Sequence, residues 1–339
     1  MNVEYQYVDP VNPPDGYLEM LHKWHGQEKW NRFKKAQFEW YQQYPKYKIY
    51  AVKVDSVFVG QATAFGVNVC NHNKITELWW GVDTFLFKEY RGGGRGKKLQ
   101  KKLHDDLPNF TSAAYTPING IIKKKCGGMP LFEKEVWYFG VSNFFTLLTS
   151  IAAERILKIN LPMLSVSTNH YLWFKSKRYK GYEISNAKID EQLVGFINET
   201  LNSKYDFFVW RDVEYMKWKY EQNPAFDYQL MTFSKNETLE AVVGFTDIHQ
   251  YSLGGKKVRG IKVLDSVIRE YSQLTTEDLL VYIADYYKLK NEKIDGIFSL
   301  QKSGWHPRTC VARPVLSTLC AEIKKPYITY LDQDMEQEM

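Results

Sequence analysis

The 339-residue chain predicts an α/β (α+β) fold of two similar units, each a mixed, mostly antiparallel sheet flanked by helices. Three observations predict it. Near the N-terminus, hairpin-like runs of alternating and β-branched residues follow two amphipathic helical patterns. A continuous apolar run, Leu78 to Phe87, then leads through four glycines into a basic amphipathic segment. After residue 190 the same plan of helix, three strands, helix and strand recurs, which divides the chain into units at 1–140 and 190–339 with a helix and linker over 141–189. The length is long for one compact domain and sufficient for two with real cores.

Taken in order, Val3 to Val8 alternates and predicts a first strand, closed by the cluster Pro10, Pro13, Pro14, Asp15 and Gly16. Tyr17 to His25 and Glu28 to Tyr41 read as amphipathic helices, the second carrying Trp30, Phe33, Phe38 and Trp40. Lys48 to Val54 and Val57 to Cys70, joined at Asp55-Ser56, give a hairpin signal, with Gly60 and Gly66 marking bulges or bends. Ile75 to Phe87 is the third antiparallel partner. A helix ends near Leu107, Ser112 to Tyr115 is a short strand, a helix runs from Thr116 through Lys125, and Phe132 to Phe139 closes the first unit. Ser142 to Lys158 is helical, 161–186 reads as an irregular connector, and Asp190 to Leu201 is helical. Strands follow at Asp227 to Ser234, Leu239 to Tyr251 and Val258 to Val267, with turns at Asn236 and Gly254-Gly255. Thr275 to Leu289 is a helix with Thr275 or Thr276 as N-cap and Asp278 in its first turn. Gly296 to Leu300 and Tyr327 to Leu331 are the last strands.

Hydrophobic residues make up 44% of the chain and aromatic residues 16%, as in an ordinary globular protein rich in Tyr and Trp. Lys and Arg outnumber Asp and Glu 45 to 39, and the surplus is clustered at Lys97 to Lys102 and Lys123 to Lys125. Clustering favours a small polyanionic ligand and weighs against a nucleic-acid-binding face. The four cysteines show no C-x-x-C spacing, so neither zinc nor a disulfide framework is expected, and reduced cytoplasm is the expected compartment. His22 and His25 lack an acidic ligand at helical spacing, so no metal is expected. The N-terminus has no apolar signal-like core, and Phe144 to Ala153 is too short to span a bilayer, so no membrane association is expected.

The segment Leu78 to Leu103 carries the chemistry. Strand, glycine loop and helix N-terminus follow one another, which aims backbone N–H groups and the positive end of a helix dipole at one place suited to phosphate. A dinucleotide fingerprint fails, because the register that needs a third glycine holds Lys97 or Leu99. A P-loop fails too, with Arg91 where its first glycine belongs and Lys98 where Ser or Thr follows the lysine. The spacing R-x-x-G-x-G fits, with Arg91, Gly94 and Gly96. It resembles the acyl-CoA pyrophosphate loop of the GCN5-related N-acetyltransferase (GNAT) superfamily. The resemblance implies acetyl-CoA, or another acyl-CoA, as co-substrate, held by Arg91, Gly92, Gly93, Gly94, Arg95, Gly96 and Lys97 with Asn119 further on. It also implies a thioester carbonyl held by backbone N–H groups at a bulge in the fourth strand, where Thr84, Phe85 and Leu86 are the positional candidates.

In the second half, Trp218, Tyr220, Asn223 and Pro224 match the W-R-Y-x-x-N-P signature of tandem GNAT proteins, with Lys219 in place of Arg. Leu331-Asp332-Gln333-Asp334 is similar to the G-D-S-D ending of those proteins, with the Ser replaced. The stretch Ile268 to Thr276, where the second unit would carry its loop, has no glycine. One CoA site and a degenerate second GNAT-like unit are therefore expected.

Acyl transfer to an amine needs a proton acceptor and a proton for the departing thiolate. Glu77 and Asp83 are the acids on the strand; each reads either as the base or as structural, Glu77 exposed at the strand start and Asp83 in a hydrogen bond. The general-acid Tyr of many relatives has no counterpart, and Tyr115 stands as its replacement or as core. The expected activity is transfer of an acyl group, with acetyl the expected one, to the primary amine of a small molecule such as an amino sugar. Two alternatives remain open: a non-catalytic CoA-binding sensor, or an aminoacyl-tRNA-dependent transferase of the peptidoglycan-bridge type.

Overall fold

The computed structural model describes residues 2–107, 109–113, 121, 129–130, 135–141, 178–224, 227–253, 256–292, 294–299, 310–315, 317–319 and 326–327. The fold is the predicted mixture of largely antiparallel sheets and flanking helices. In the first sheet, β1 (Val3–Val8), β2 (Tyr47–Val54), β3 (Val57–Asn71) and β4 (Lys74–Leu86) lie side by side and antiparallel. The tight turn between β2 and β3 holds Asp55 and Ser56 at φ 47° and 68°, the twist that suits a two-residue hairpin. Next to β4 lies β5 (Phe110–Ala113), which runs parallel to it through Trp79 and Trp80 opposite Phe110 and Thr111. Gly81 leaves the room that the Phe110 ring fills, since a Cβ there would overlap it.

Alternation along these strands sends side chains to two layers. On one face, α1 (Tyr17–His25) and a longer helix pack Leu21, Phe38, Trp40 and Tyr41 against Phe65, Val67, Leu78, Trp80 and Val82. On the other, Leu99 and Leu103 of α4 (Arg95–Asp106) pack on Val52, Val59, Ala62, Trp79 and Leu86. The longer helix differs from its expected form. It consists of α2 (Gln27–Lys29), a π-helical turn (Trp30–Lys34) and α3 (Lys35–Gln42). A π-turn inserts an extra residue into the ladder and often marks a functional position.

The second sheet runs in the order Cys310–Val315, Glu135–Val141, Gly296–Ser299, Lys256–Ile268, Thr238–Thr246, Tyr228–Lys235, Glu183–Asn186, with His249–Leu253 beside Lys256–Ile268. The strand expected over Leu239 to Tyr251 is thus two, and the end of the expected connector is a strand on the sheet edge. Glu135–Val141 pairs in this second sheet, while Ser317–Leu319 and Met129–Pro130 pair in the first. Long-range pairing of this kind has no local sequence signal. The helices expected at 116–125 and 142–158 fall outside the described residues, apart from Ile121.

The two halves share one core, in which Trp40 and Trp218 stack at 4.3 Å and 14°. Trp40 Nε1 donates to the Trp218 carbonyl at 2.9 Å, and Trp218 Nε1 donates to the Trp40 carbonyl at 3.2 Å. The two residues after Trp218 close on Asp265, Lys219 Nζ at 2.9 Å and Tyr220 OH at 2.5 Å, and Arg211 joins them at 3.1 Å. Burial alone would raise the Asp265 pKa, but Lys219 and Arg211 bring it down to about 2.

Candidate active site

The site begins at an irregularity in β4. Gln61 pairs with Phe85 and Thr63 with Val82, so Asp83 and Thr84 together oppose Ala62 in a β-bulge. Asp83 takes φ 40°, a conformation that costs an L-residue about 1–2 kcal/mol and that Asp tolerates better than most. The extra residue turns Asp83 to the same face as its neighbour Val82. Without it, alternation would send Asp83 to the α4 layer.

Buried polar side chains fix this kink from both faces. Thr63 Oγ1 donates to the Val82 carbonyl at 3.0 Å, and Gln61 Nε2 to the Asp83 carbonyl at 3.4 Å. The Tyr17 hydroxyl donates in turn to Gln61 Oε1; burial holds that phenol well above its usual pKa, so it stays a donor. From the other layer, Gln100 Nε2 donates to Thr84 Oγ1 at 3.2 Å, and Gln100 Oε1 is buried without a hydrogen-bond partner. Gly60, opposite Leu86, lets β3 approach closely: a Cβ there would lie 2.6 Å from the Phe85 carbonyl oxygen. On its other side Gly60 also flanks the expected bulge, since Val52 pairs with Gly60 and Lys53 with Phe58.

Beyond the bulge, Phe85 stacks on Trp24 at 3.8 Å, and Leu86 lies under α4. A short 3₁₀ turn (Lys88–Tyr90) then leads to the glycines. Arg91 Nε donates back to the Leu86 carbonyl at 2.9 Å, and Arg95 to the Tyr90 carbonyl at 3.1 Å, so both arginines tie the loop to the strand end. Gly92, Gly93 and Gly94 take φ 105°, 57° and 75° in succession. A Cβ on Gly92 or Gly94 would meet nothing within 4 Å. Backbone conformation, and not packing, is what demands glycine there.

Gly94 is the N-cap of α4, and no side chain caps the helix. The Arg95 N–H donates to the Gly92 carbonyl at 3.2 Å, which leaves the N–H groups of Gly96 and Lys97 in the first turn without a side-chain cap. Lys101 and Lys102 pair with Asp105 and Asp106 one turn on, at 2.6 Å and 2.8 Å. The lysines at the N-terminal end, Lys97 and Lys98, are exposed and lie outside those pairs.

On the opposite face of the sheet, Asp83 lines a narrow cleft with His25, Lys34, Gln37, Tyr41 and Gln61 among its walls. Lys34 is only 5% exposed, and its ammonium donates to Gln37 Oε1 at 2.7 Å, while Gln37 Nε2 donates to the Tyr41 hydroxyl at 2.9 Å. Burial, helped by Lys34 and Lys29, lowers the His25 pKa to about 3. His25 is therefore neutral at ordinary pH, and Lys34 brings the positive charge to this wall.

Of the residues expected at the site, Asp83, Phe85, Leu86 and Arg91 to Lys97 lie along one continuous path from bulge to helix. Glu77 stands six residues earlier on β4, roughly 20 Å along an extended strand, where it pairs with Lys46 at 2.9 Å and accepts from Trp79 Nε1 at 3.2 Å. The structure does not bring it to Asp83. Tyr115 and Asn119 lie outside the described residues. Lys34, Gln37 and Gln61 were not anticipated. A signal existed for Lys34, which falls four residues from both Trp30 and Phe38 on an otherwise apolar helix face.

No family model matches the sequence, and no curated protein matches it. The fold does match solved structures. Saccharomyces cerevisiae N-myristoyltransferase with bound myristoyl-CoA superposes with a TM-score of 0.57 at 12% identity, over 94% of this chain and 78% of that one. A GCN5-related N-acetyltransferase from Kribbella flavida gives 0.55 at 12%, over 94% and 71%. One from Anabaena variabilis gives 0.53 at 11%, over 93% and 72%. The chain therefore has a GNAT-like fold, as the glycine loop implied. Among the described residues no helix is long and apolar enough to cross a membrane, and no cluster of metal-ligating side chains occurs.

Proposed function

We propose that this protein is an acyl-CoA-dependent N-acyltransferase, with acetyl-CoA as donor and the primary amine of a small molecule as acceptor. The observation that supports this best is the uncapped N-terminus of α4, opened by three left-handed glycines directly after a bulged strand in a GNAT-like fold. Backbone N–H groups of the Gly92 to Lys97 segment would hold the pyrophosphate, with Lys97 adding charge of the right sign. Bound acyl-CoA would supply an acyl group activated as a thioester. Outside the ladder register at the bulge, the backbone N–H groups of Asp83 and Thr84 are suited to polarise the acyl carbonyl. Asp83 takes one proton from the acceptor ammonium, so that the nitrogen has a lone pair for attack. A C–N bond then replaces the C–S bond, and the second nitrogen proton leaves with the thiolate, giving amide and free CoA.

The second half takes no part in donor binding in this reading; it holds the cleft helix through Trp218. Two measurements test the proposal. Acetyl-CoA is expected to raise the melting temperature in proportion to occupancy, and an amine panel is expected to release free thiol. The absence of any shift at saturating acetyl-CoA would overturn it.

A further inference from the structure

Resting on the acyltransferase reading, we infer that the Thr84 hydroxyl is the hydrogen-bond donor to the departing CoA sulfur, with Gln100 as the residue that positions it. The argument starts from an unmatched group. Gln100 is 1% exposed in the middle of α4, where the other buried side chains are Leu99 and Leu103. Its Nε2 donates to Thr84 Oγ1 at 3.2 Å, while its Oε1 is buried with no partner. For packing alone, an apolar side chain would fill that layer at lower cost. The bond to Thr84 is what a glutamine adds.

That bond decides which way the threonine points its hydrogen. Gln100 occupies a lone pair of Oγ1 from the α4 side, so the hydroxyl keeps its own hydrogen to give, and among the described residues it gives it to no protein group. Turning the amide round would leave both of its hydrogens unmatched. Thr84 is half-buried and lies in the bulge, and β5 pairs with β4 only at Trp79 and Trp80. On that side the edge of β4 beyond Trp80 is open among the described residues. Thr84 faces α4 and Asp83 the other layer, so the two flank one acyl carbon from opposite faces of the sheet. As the C–S bond breaks, its electron pair goes to sulfur. The Thr84 O–H gives its proton to that sulfur and takes the second nitrogen proton in return, so the hydroxyl ends unchanged beside amide and free thiol. The Gln100 N–H steadies the charge that builds on Oγ1 during the exchange. This fills the role for which the chain has no counterpart of the general-acid Tyr.

Free CoA tests the contact without turnover. A hydrogen bond to sulfur favours the thiolate, so the thiol of CoA bound to the full chain, followed by thiolate absorbance, should ionise about one pH unit lower in the wild type than in Thr84→Val. Thr84→Ser should restore the wild-type value, and Gln100→Leu should fall between the two. Acetyl-CoA has no thiol to ionise, and its affinity should not change in these variants. In turnover, kcat for thiol release should drop about tenfold in Thr84→Val while KM for acetyl-CoA stays put. Thr84→Val leaves the Gln100 amide unmatched; if it fails to fold, the double variant Thr84→Val with Gln100→Leu removes both polar groups and is measured in its place. A bound thiol that ionises at the same pH with and without the Thr84 hydroxyl would overturn this proposal and leave the acyltransferase reading standing. So would a loss of acetyl-CoA affinity as large as the change in thiol acidity, which marks a structural role. Failure of the wild type to bind acetyl-CoA would remove both.

Discussion

Two helices follow the long central strands of the two sheets, and their N-termini are finished in opposite ways. α4 begins at Gly94, in the left-handed region and without a side-chain cap. The helix Thr276–Leu289 begins at Thr275, which accepts from the Asp278 N–H at 3.3 Å while Asp278 accepts from the Thr275 N–H at 3.0 Å, a complete capping box. Asp278 also accepts from the Arg178 N–H at 3.2 Å and is fully buried. One helix end thus leaves donors open to solvent; the other satisfies them from within and places a carboxylate where a phosphate would sit. Leaving out the cap leaves N–H groups of the kind that bind anions. The buried carboxylates Asp265 and Asp278 of the second half are held in hydrogen bonds within the fold.

That contrast breaks most visibly at Asp265. Removing its charge with Asp265→Asn leaves Arg211 and Lys219 buried without their counter-ion, an expected loss of about 3–5 kcal/mol in stability read by denaturant melts. The sign of the pH dependence follows from the lowered pKa. Asp265 stabilises the native state above the unfolded value of 3.8 and loses that contribution as pH falls toward about 2. The acid limb of a stability profile over that window should flatten in the variant. Gly94→Glu comes next: a side chain and a negative charge in the open loop should weaken acetyl-CoA binding at least about 100-fold, roughly 2.7 kcal/mol by calorimetry. Unchanged affinity would show that the open helix end is not the donor site. Thr275→Ala should cost about 1 kcal/mol of stability and leave acetyl-CoA affinity where it was.

Both helix ends were legible in the sequence, since Gly94 and Thr275 carry their conformations in their residue types. So were α1, the turn at Asp55-Ser56 and the strand and loop order, because each depends on neighbours within a few positions. The bulge was not. Asp83 sits in an unbroken apolar run, and what holds it out of register is Gln61, Thr63 and Gln100, which lie 16 to 22 residues away in the chain. The π-turn escaped notice for a related reason: its extra residue leaves the spacing of Trp30, Lys34 and Phe38 looking helical. Crossing of Glu135–Val141 into the second sheet depends wholly on partners more than 100 residues later. Local chemistry thus marks the open helix end, while the position of Asp83 is set by tertiary packing.

The smallest test of the comparison lies within α4 itself. Lys97 stands in its first turn and Lys101 one turn further on, paired with Asp105. If the helix end is where the phosphates sit, Lys97→Ala should weaken acetyl-CoA binding about threefold, an effect of the size of an exposed charge contact. Salt should shrink the difference as the Debye length shortens. Lys101→Ala removes the same formal charge from the same helix, and its expected effect on affinity is within error. Equal losses in the two variants would mean that net charge, and not the position of the helix end, attracts the ligand.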